Sequence, residues 1–188
     1  ALAAAAGADG AHWRFALAVL RQMRQQGLRP NSADYASAVR ACEDAGEHAM
    51  AMEMFAEGVS VGALQHWRDD SAFALDLFGC QYSGAAAVCA VRYCLLHEVG
   101  NFITADLKIL TGGDEALRRR VEHLLKHELC PPLPFEYSLR LECTHDGKRL
   151  ECVTTEDRSV LLVRTHALCE WLMATKPFET YVVSLPAE

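Results

Sequence analysis

Four sets of side chains in this chain have types and spacings that could do chemistry. The first is Asp76 with Thr111-Gly112. Each closes a short apolar run, residues 73 to 77 (FALDL) stopped by Gly79 and residues 107 to 111 (LKILT) stopped by Gly112 and Gly113, the pattern of buried strands bounded by glycine turns. The second is His123 and His127, at i and i+4 on one helix face with Cys130 nearby, a spacing that suits zinc. No fourth ligand is placed and leucines already account for the helix, so no metal is expected. The third is Arg118, Arg119 and Arg120 with Lys126, the one basic surface that could meet phosphate; Glu122 and Glu128 offset it, as on a solvated helix face. The fourth is Cys143 and Cys152, which flank the Asp146-Gly147 turn and read as cross-strand core cysteines rather than a redox pair.

The elements that must position these groups follow from periodicity. Residues 85 to 99 contain no proline or glycine and put Val88, Val91, Leu95 and Val99 on one side, a helix. From Glu115, residues Leu117, Val121, Leu124, Leu125 and Leu129 fall at helical spacing until Pro131, with Arg118, Arg119, Glu122 and Lys126 opposite. Two strands joined by a helix are most simply parallel, and the right-handed rule then brings Asp76 and Thr111 to one sheet edge. Beyond Leu129, residues 139–144 and 150–154 predict a hairpin. Residues 159–174 predict a helix with Leu162, His166, Cys169, Leu172 and Met173 inward, and residues 181–185 a closing strand.

Composition bounds the function. Across 188 residues, 18 basic and 25 acidic side chains leave a net charge of −7, which argues against a protein that coats phosphate with its whole surface. Of the eight cysteines, Cys42, Cys89, Cys94 and Cys169 fall inside expected helices and Cys143 and Cys152 in expected strands, where unpaired cysteine acts as a small hydrophobe, so a reducing compartment is the simpler reading. The longest charge-free run, residues 77–91, is too short to span a membrane and contains Gly79, Gln81 and Gly84. Residues 1–11 read as a low-complexity linker, compatible with a targeting segment removed upstream.

Residues 12–66 predict three helices, carrying Trp13, Ala16, Leu17, Leu20 and Met23, then Tyr35, Ala38, Val39 and Cys42, then Ala49, Met52 and Phe55. A shift of about 35 residues superposes Ala16 on Ala51, Leu17 on Met52, Leu20 on Phe55 and Gly27 on Gly62, the mark of a helical solenoid. The strings FALAVLRQMRQQGLRPN and DYASAVRACEDAGEHAMAMEMFAEG resemble the pentatricopeptide repeat family. That resemblance implies reading of single-stranded RNA by paired positions, which here are Ala36 and His66. Alanine cannot hydrogen-bond a base edge, so a platform for packing or partner contact is the better expectation.

Downstream, Leu-Asp-Leu-Phe-Gly at 75–79, Leu-Thr-Gly at 110–112 and GDEALRRRVEHLL resemble the small MutS-related (Smr) domain that often follows such repeats in organellar proteins. The resemblance implies a nuclease built on an Asp-x-His pair and a Thr-Gly-x-Gly loop. Asp76, Thr111 and Gly112 are kept, but Phe78 stands where the histidine belongs and the loop passes straight from Gly113 to Asp114 and Glu115. Phenylalanine neither moves protons nor ligates metals, and two carboxylates at a helix start repel phosphate. The expectation is an α/β fold with an N-terminal α-solenoid remnant, residues 67–188 forming a βαβα Smr-like domain extended by a hairpin, helix and closing strand. The expected role is a non-catalytic subunit of a larger organellar complex, without cofactor or transmembrane segment. An RNA-binding protein and an Smr-type endonuclease are the alternatives.

Overall fold

The structure is a computed structural model that describes residues 12–68, 73–80, 82–101, 103, 105–145 and 150–175, with the side chains of 101, 142–145, 150 and 151 left aside. The residue 1–11 linker, the Asp146-Gly147 turn and the expected strand at 181–185 lie outside these residues. Among them are six α-helices and one four-stranded mixed sheet.

Helices α1 (His12–Gln25), α2 (Ser32–Asp44) and α3 (His48–Ser60) pack in sequence. Asn31 opens α2 with a capping box: its Oδ1 accepts from Ala33 N at 2.8 Å and Asp34 N at 3.1 Å, while Asp34 Oδ2 accepts from Asn31 N. Two helix endings share one hydrogen-bond pattern. Gly27 N donates to Arg24 O and Leu28 N to Met23 O; 35 residues on, Gly62 N donates to Val59 O and Ala63 N to Gly58 O. Both glycines are left-handed, at φ 73° and 71°, the conformation such a helix ending requires. Tyr35, Ala38, Val39 and Cys42 are all buried, as the spacing predicts. In α3 the buried residues are Ala51, Phe55 and Gly58, whereas Ala49 is exposed.

Strand β1 (Ala74–Asp76) lies parallel to β2 (Leu107–Leu110), with Asp76 opposite Leu110. Between them run α4 (Gly84–Tyr93) and a π-helical turn, Cys94–Glu98. Every residue of α4 from Ala85 to Arg92 is buried, because α2 and α3 pack on it from one side and α5 (Glu115–His123) from another. Its alanines permit that closeness. Leu117, Val121, Leu124, Leu125 and Leu129 are buried as expected, and α5 also runs into a π turn, Leu124–Glu128.

The rest of the chain departs from the sequence reading in its strands, in the inward side of its last helix and at Cys152. Strand β3 (Glu136–His145) pairs with β4 (Leu150–Val163), giving the order β1-β2-β4-β3. Residues 159–163 therefore belong to a strand, with Val160 opposite Leu110, and α6 (Thr165–Thr175) begins only afterwards. The run Ser-Val-Leu-Leu-Val suits a doubly covered strand as well as a helix, and pairing with β2 decides. The start of α6 is set by a remote residue: Asp106 Oδ1 accepts from Thr165 N at 2.8 Å and from Thr165 Oγ1 at 2.9 Å. Its inward side is accordingly Ala167, Leu168, Trp171 and Leu172, leaving His166 and Met173 exposed.

Between Tyr137 and Ser138 the β3–β4 register jumps, from Tyr137 opposite Leu161 to Ser138 opposite Asp157. Residues 150–157 thus pair with β3 alone and continue past the end of β2 as a two-stranded arm. Cys143 and Cys152 face each other in this register, as a hairpin predicts. The core reading of the pair is corrected: Cys152 is exposed and disulfide-bonded, and among the described residues the arm pairs with no third strand there.

Candidate functional site

Asp76 and Thr111 come to the same sheet edge, as the crossover rule predicts, but each is held by its own backbone surroundings. After β1 the chain turns through Leu77 and Phe78, whose amides donate to Leu110 O at 3.1 and 3.3 Å. Asp76 closes the turn: Oδ1 accepts from Gly79 N at 2.6 Å, and a Cβ on Gly79 would lie 2.5 Å from Oδ2. Thr111 is fully buried, with N and Oγ1 both donating to Ser159 O at 2.8 and 3.1 Å.

Phe78 is 57% exposed, yet its ring lies against the glycine turn. A Cβ on Gly112 would meet Phe78 Cγ at 2.5 Å, and Gly112 adopts φ 60°. The aromatic ring thus covers the backbone that a phosphate would approach in a glycine cradle. Next along, Asp114 caps α5 by accepting from Leu117 N at 3.0 Å, and Glu115 pairs with Arg118 at 3.6 Å and with Arg119.

A cavity of about 230 Å³ adjoins this edge, lined by Gly112, Gly113, Asp114, Glu115, Arg118, Arg158 and Ser159. Its two cations have partners. Arg118 Nε lies 3.5 Å from Glu122 and Arg158 Nε 3.5 Å from Glu156. Both guanidinium groups also sit over the Tyr137 ring, at 5.9 and 5.5 Å, while Tyr137 donates its hydroxyl to Glu122 at 2.8 Å. Cys80 supplies no nucleophile here. Burial, and then the neighbouring Asp76, push its thiol up to about 11, so it stays protonated at neutral pH.

The four basic residues singled out by sequence point in different directions. Arg118 turns inward to Tyr137, Arg119 outward to Glu115, Arg120 packs its stem on Gly84 of α4, and Lys126 lies 4.9 Å over the Phe135 ring. The His123 and His127 rings lie 5.1 Å apart, tilted by 48°, and His123 Nδ1 lies 3.1 Å from Glu128. Among the described residues no three His, Cys, Asp or Glu side chains are grouped to hold a metal ion.

Of the two positions, Ala36 and His66, that the repeat resemblance would assign to base reading, Ala36 is half-buried and His66 is out of reach. His66 is 2% exposed, and its Nε2 lies 2.6 Å from Glu98, which also accepts from Trp67 Nε1 at 2.7 Å. Phe55 and Tyr93 rings pack around it. Burial raises the Glu98 carboxyl, but the hydrogen bond and charge of His66, with the Trp67 hydrogen bond, outweigh this and hold it below its ordinary value.

Sequence reasoning missed Arg158, Ser159 and Tyr137 as parts of this edge. The apolar run from Val160 to Val163 was a strand signal that could have placed the first two. No protein-family model, no curated protein and no solved structure matches the chain.

Proposed function

We propose that the chain is a non-catalytic interaction module, an accessory or structural subunit of an organellar protein or ribonucleoprotein assembly. One observation carries the reading: Asp76 closes the turn at Gly79 while Phe78 covers Gly112 and still offers more than half its surface to solvent. A carboxylate held by its own turn and a hydrophobic lid over the glycines argue against activation of water by Asp76 at this edge. What is left outside is an aromatic side chain beside a cavity whose arginines are matched by carboxylates. That mixture suits a protein surface better than a nucleic-acid backbone, which Asp114 and Glu115 would repel. The organellar address rests on the resemblance to repeat proteins that end in an Smr domain.

The test is capture of a larger assembly by the tagged chain from organelle extract, in stoichiometric amounts and lost with Phe78→Ala. Cleavage of RNA in any divalent metal, abolished by Asp76→Asn, would replace this reading with the nuclease one. A salt-sensitive shift of single-stranded RNA by the purified chain would replace it with the RNA-binding one.

A further inference from the structure

The arm formed by β3 and β4 exposes apolar side chains: Leu139 is 69% exposed and Leu141 64%. β3 is also the outermost strand, so among the described residues one side of its backbone has no strand beside it. The opposite edge is not open in this way. Asp76 N donates to His66 O and Arg68 N to Ala74 O, both at 2.9 Å, so residues 66–68 run along β1. A two-stranded ribbon is marginal in water, and an open edge bearing leucines is a template for another strand.

β3 is complementary to itself. Thr155 Oγ1 donates to Arg140 O at 3.5 Å, which turns that carbonyl toward β4. Alternation then turns the amides and carbonyls of Leu139 and Leu141 to the open side. A second β3 running antiparallel, with Leu141 on a two-fold axis, sets Leu141 against Leu141 and Leu139 against register position 143. In this register Arg140 of each copy falls opposite sequence position 142 of the other, a glutamate. Opposite charges directly across a sheet stabilise it and like charges oppose it. An axis at Arg140 would set two arginines together, and one at Leu139 would set Glu136 against Glu142.

We infer that β3 is the interface of a two-fold dimer of this chain, two four-stranded sheets joined edge to edge about Leu141. The contact is isologous, and its occupant is a second copy rather than a foreign strand. It is independent of the role given to Phe78.

Analytical ultracentrifugation of the full chain at micromolar concentration tests it. The wild type sediments with a mass near twice 20.7 kDa. Arg140→Glu, which sets like charges together twice, raises the dimer dissociation constant about tenfold or more, and Arg140→Glu with Glu142→Arg restores the dimer. Leu141→Lys, at an exposed position, sets two lysines on the axis and gives monomer with an unchanged far-ultraviolet dichroism spectrum. A monomeric wild type overturns the inference, whether residues 176–188 or another protein covers the edge. So does a dimer indifferent to Arg140→Glu, or one that the charge exchange fails to restore.

Discussion

Arg92 is the only charged residue of α4 and sits where three helices meet. Its Nη1 lies 2.5 Å from Glu43 on α2, and its Nη2 2.9 Å from Glu128 after α5. The Glu43 side chain is only 4% exposed and its other neighbour is His48, 2.9 Å from Oε2 and half in solvent, so removing Arg92 takes the guanidinium away from a charge that water hardly reaches. Arg92→Met is expected to cost about 3–5 kcal/mol, and Arg92→Met with Glu43→Gln distinctly less, in urea unfolding. Phe78 behaves oppositely. Because more than half of its surface is already in water, Phe78→Ala should cost no more than about 1 kcal/mol in the same measurement while abolishing partner capture. Gly112→Ala combines a left-handed backbone with collision against the Phe78 ring, and a loss of about 1–3 kcal/mol is expected.

Element by element, α4 and α5 are alike in ending with a π turn whose last residue is a glutamate that binds a distant side chain. Glu128 takes Arg92; Glu98 takes His66 and Trp67 and so ties residues 66 and 67 to the end of α4. The carboxyl of Glu98 titrates below its ordinary value of 4.5 in the folded chain. Its contribution to stability is therefore fully present above that pH and is lost as pH falls through the folded value. The urea midpoint should drop below pH 4.5, and Glu98→Gln should lower it at neutral pH while flattening the acid fall. A midpoint in Glu98→Gln that matches wild type at both pH values would contradict this. Helices α1 to α3 were legible because their apolar stripes face one side and their ends carry Asn31, Gly27, Gly46 and Gly62, α5 by its leucine stripe, and α4, buried on all sides, by its run without proline or glycine from Ala85. The start of α6 was not. Its cap, Asp106, lies 59 residues away, and no local pattern can reveal a cap supplied by another element.

For the molecule as a whole, one hydrophobic cluster runs from Ala16 in α1 through α4 and the sheet to Leu172 in α6. The repeat-like helices have no separate core, and the Glu43–Arg92–Glu128 link crosses the same boundary. Unfolding should accordingly be a single cooperative event. Tryptophan reports on it from α1 (Trp13), from the junction (Trp67) and from α6 (Trp171). Fluorescence and far-ultraviolet dichroism should give coincident urea transitions; an earlier dichroism phase would mean that the helical unit melts alone. No helix among the described residues is long and apolar enough to cross a membrane.

The sequence by itself determined which stretches bury a stripe and which strand ends meet, because hydrophobic period and crossover handedness are local or nearly local rules. Phe78, where the Smr resemblance would place a histidine, was visible there too. Only the tertiary structure decided that Asp76 turns back onto Gly79, that Phe78 lies over Gly112, that His66 is enclosed and that residues 159–163 join the sheet. Each of these depends on what packs against a residue from elsewhere in the chain, and a one-dimensional pattern does not carry that contact.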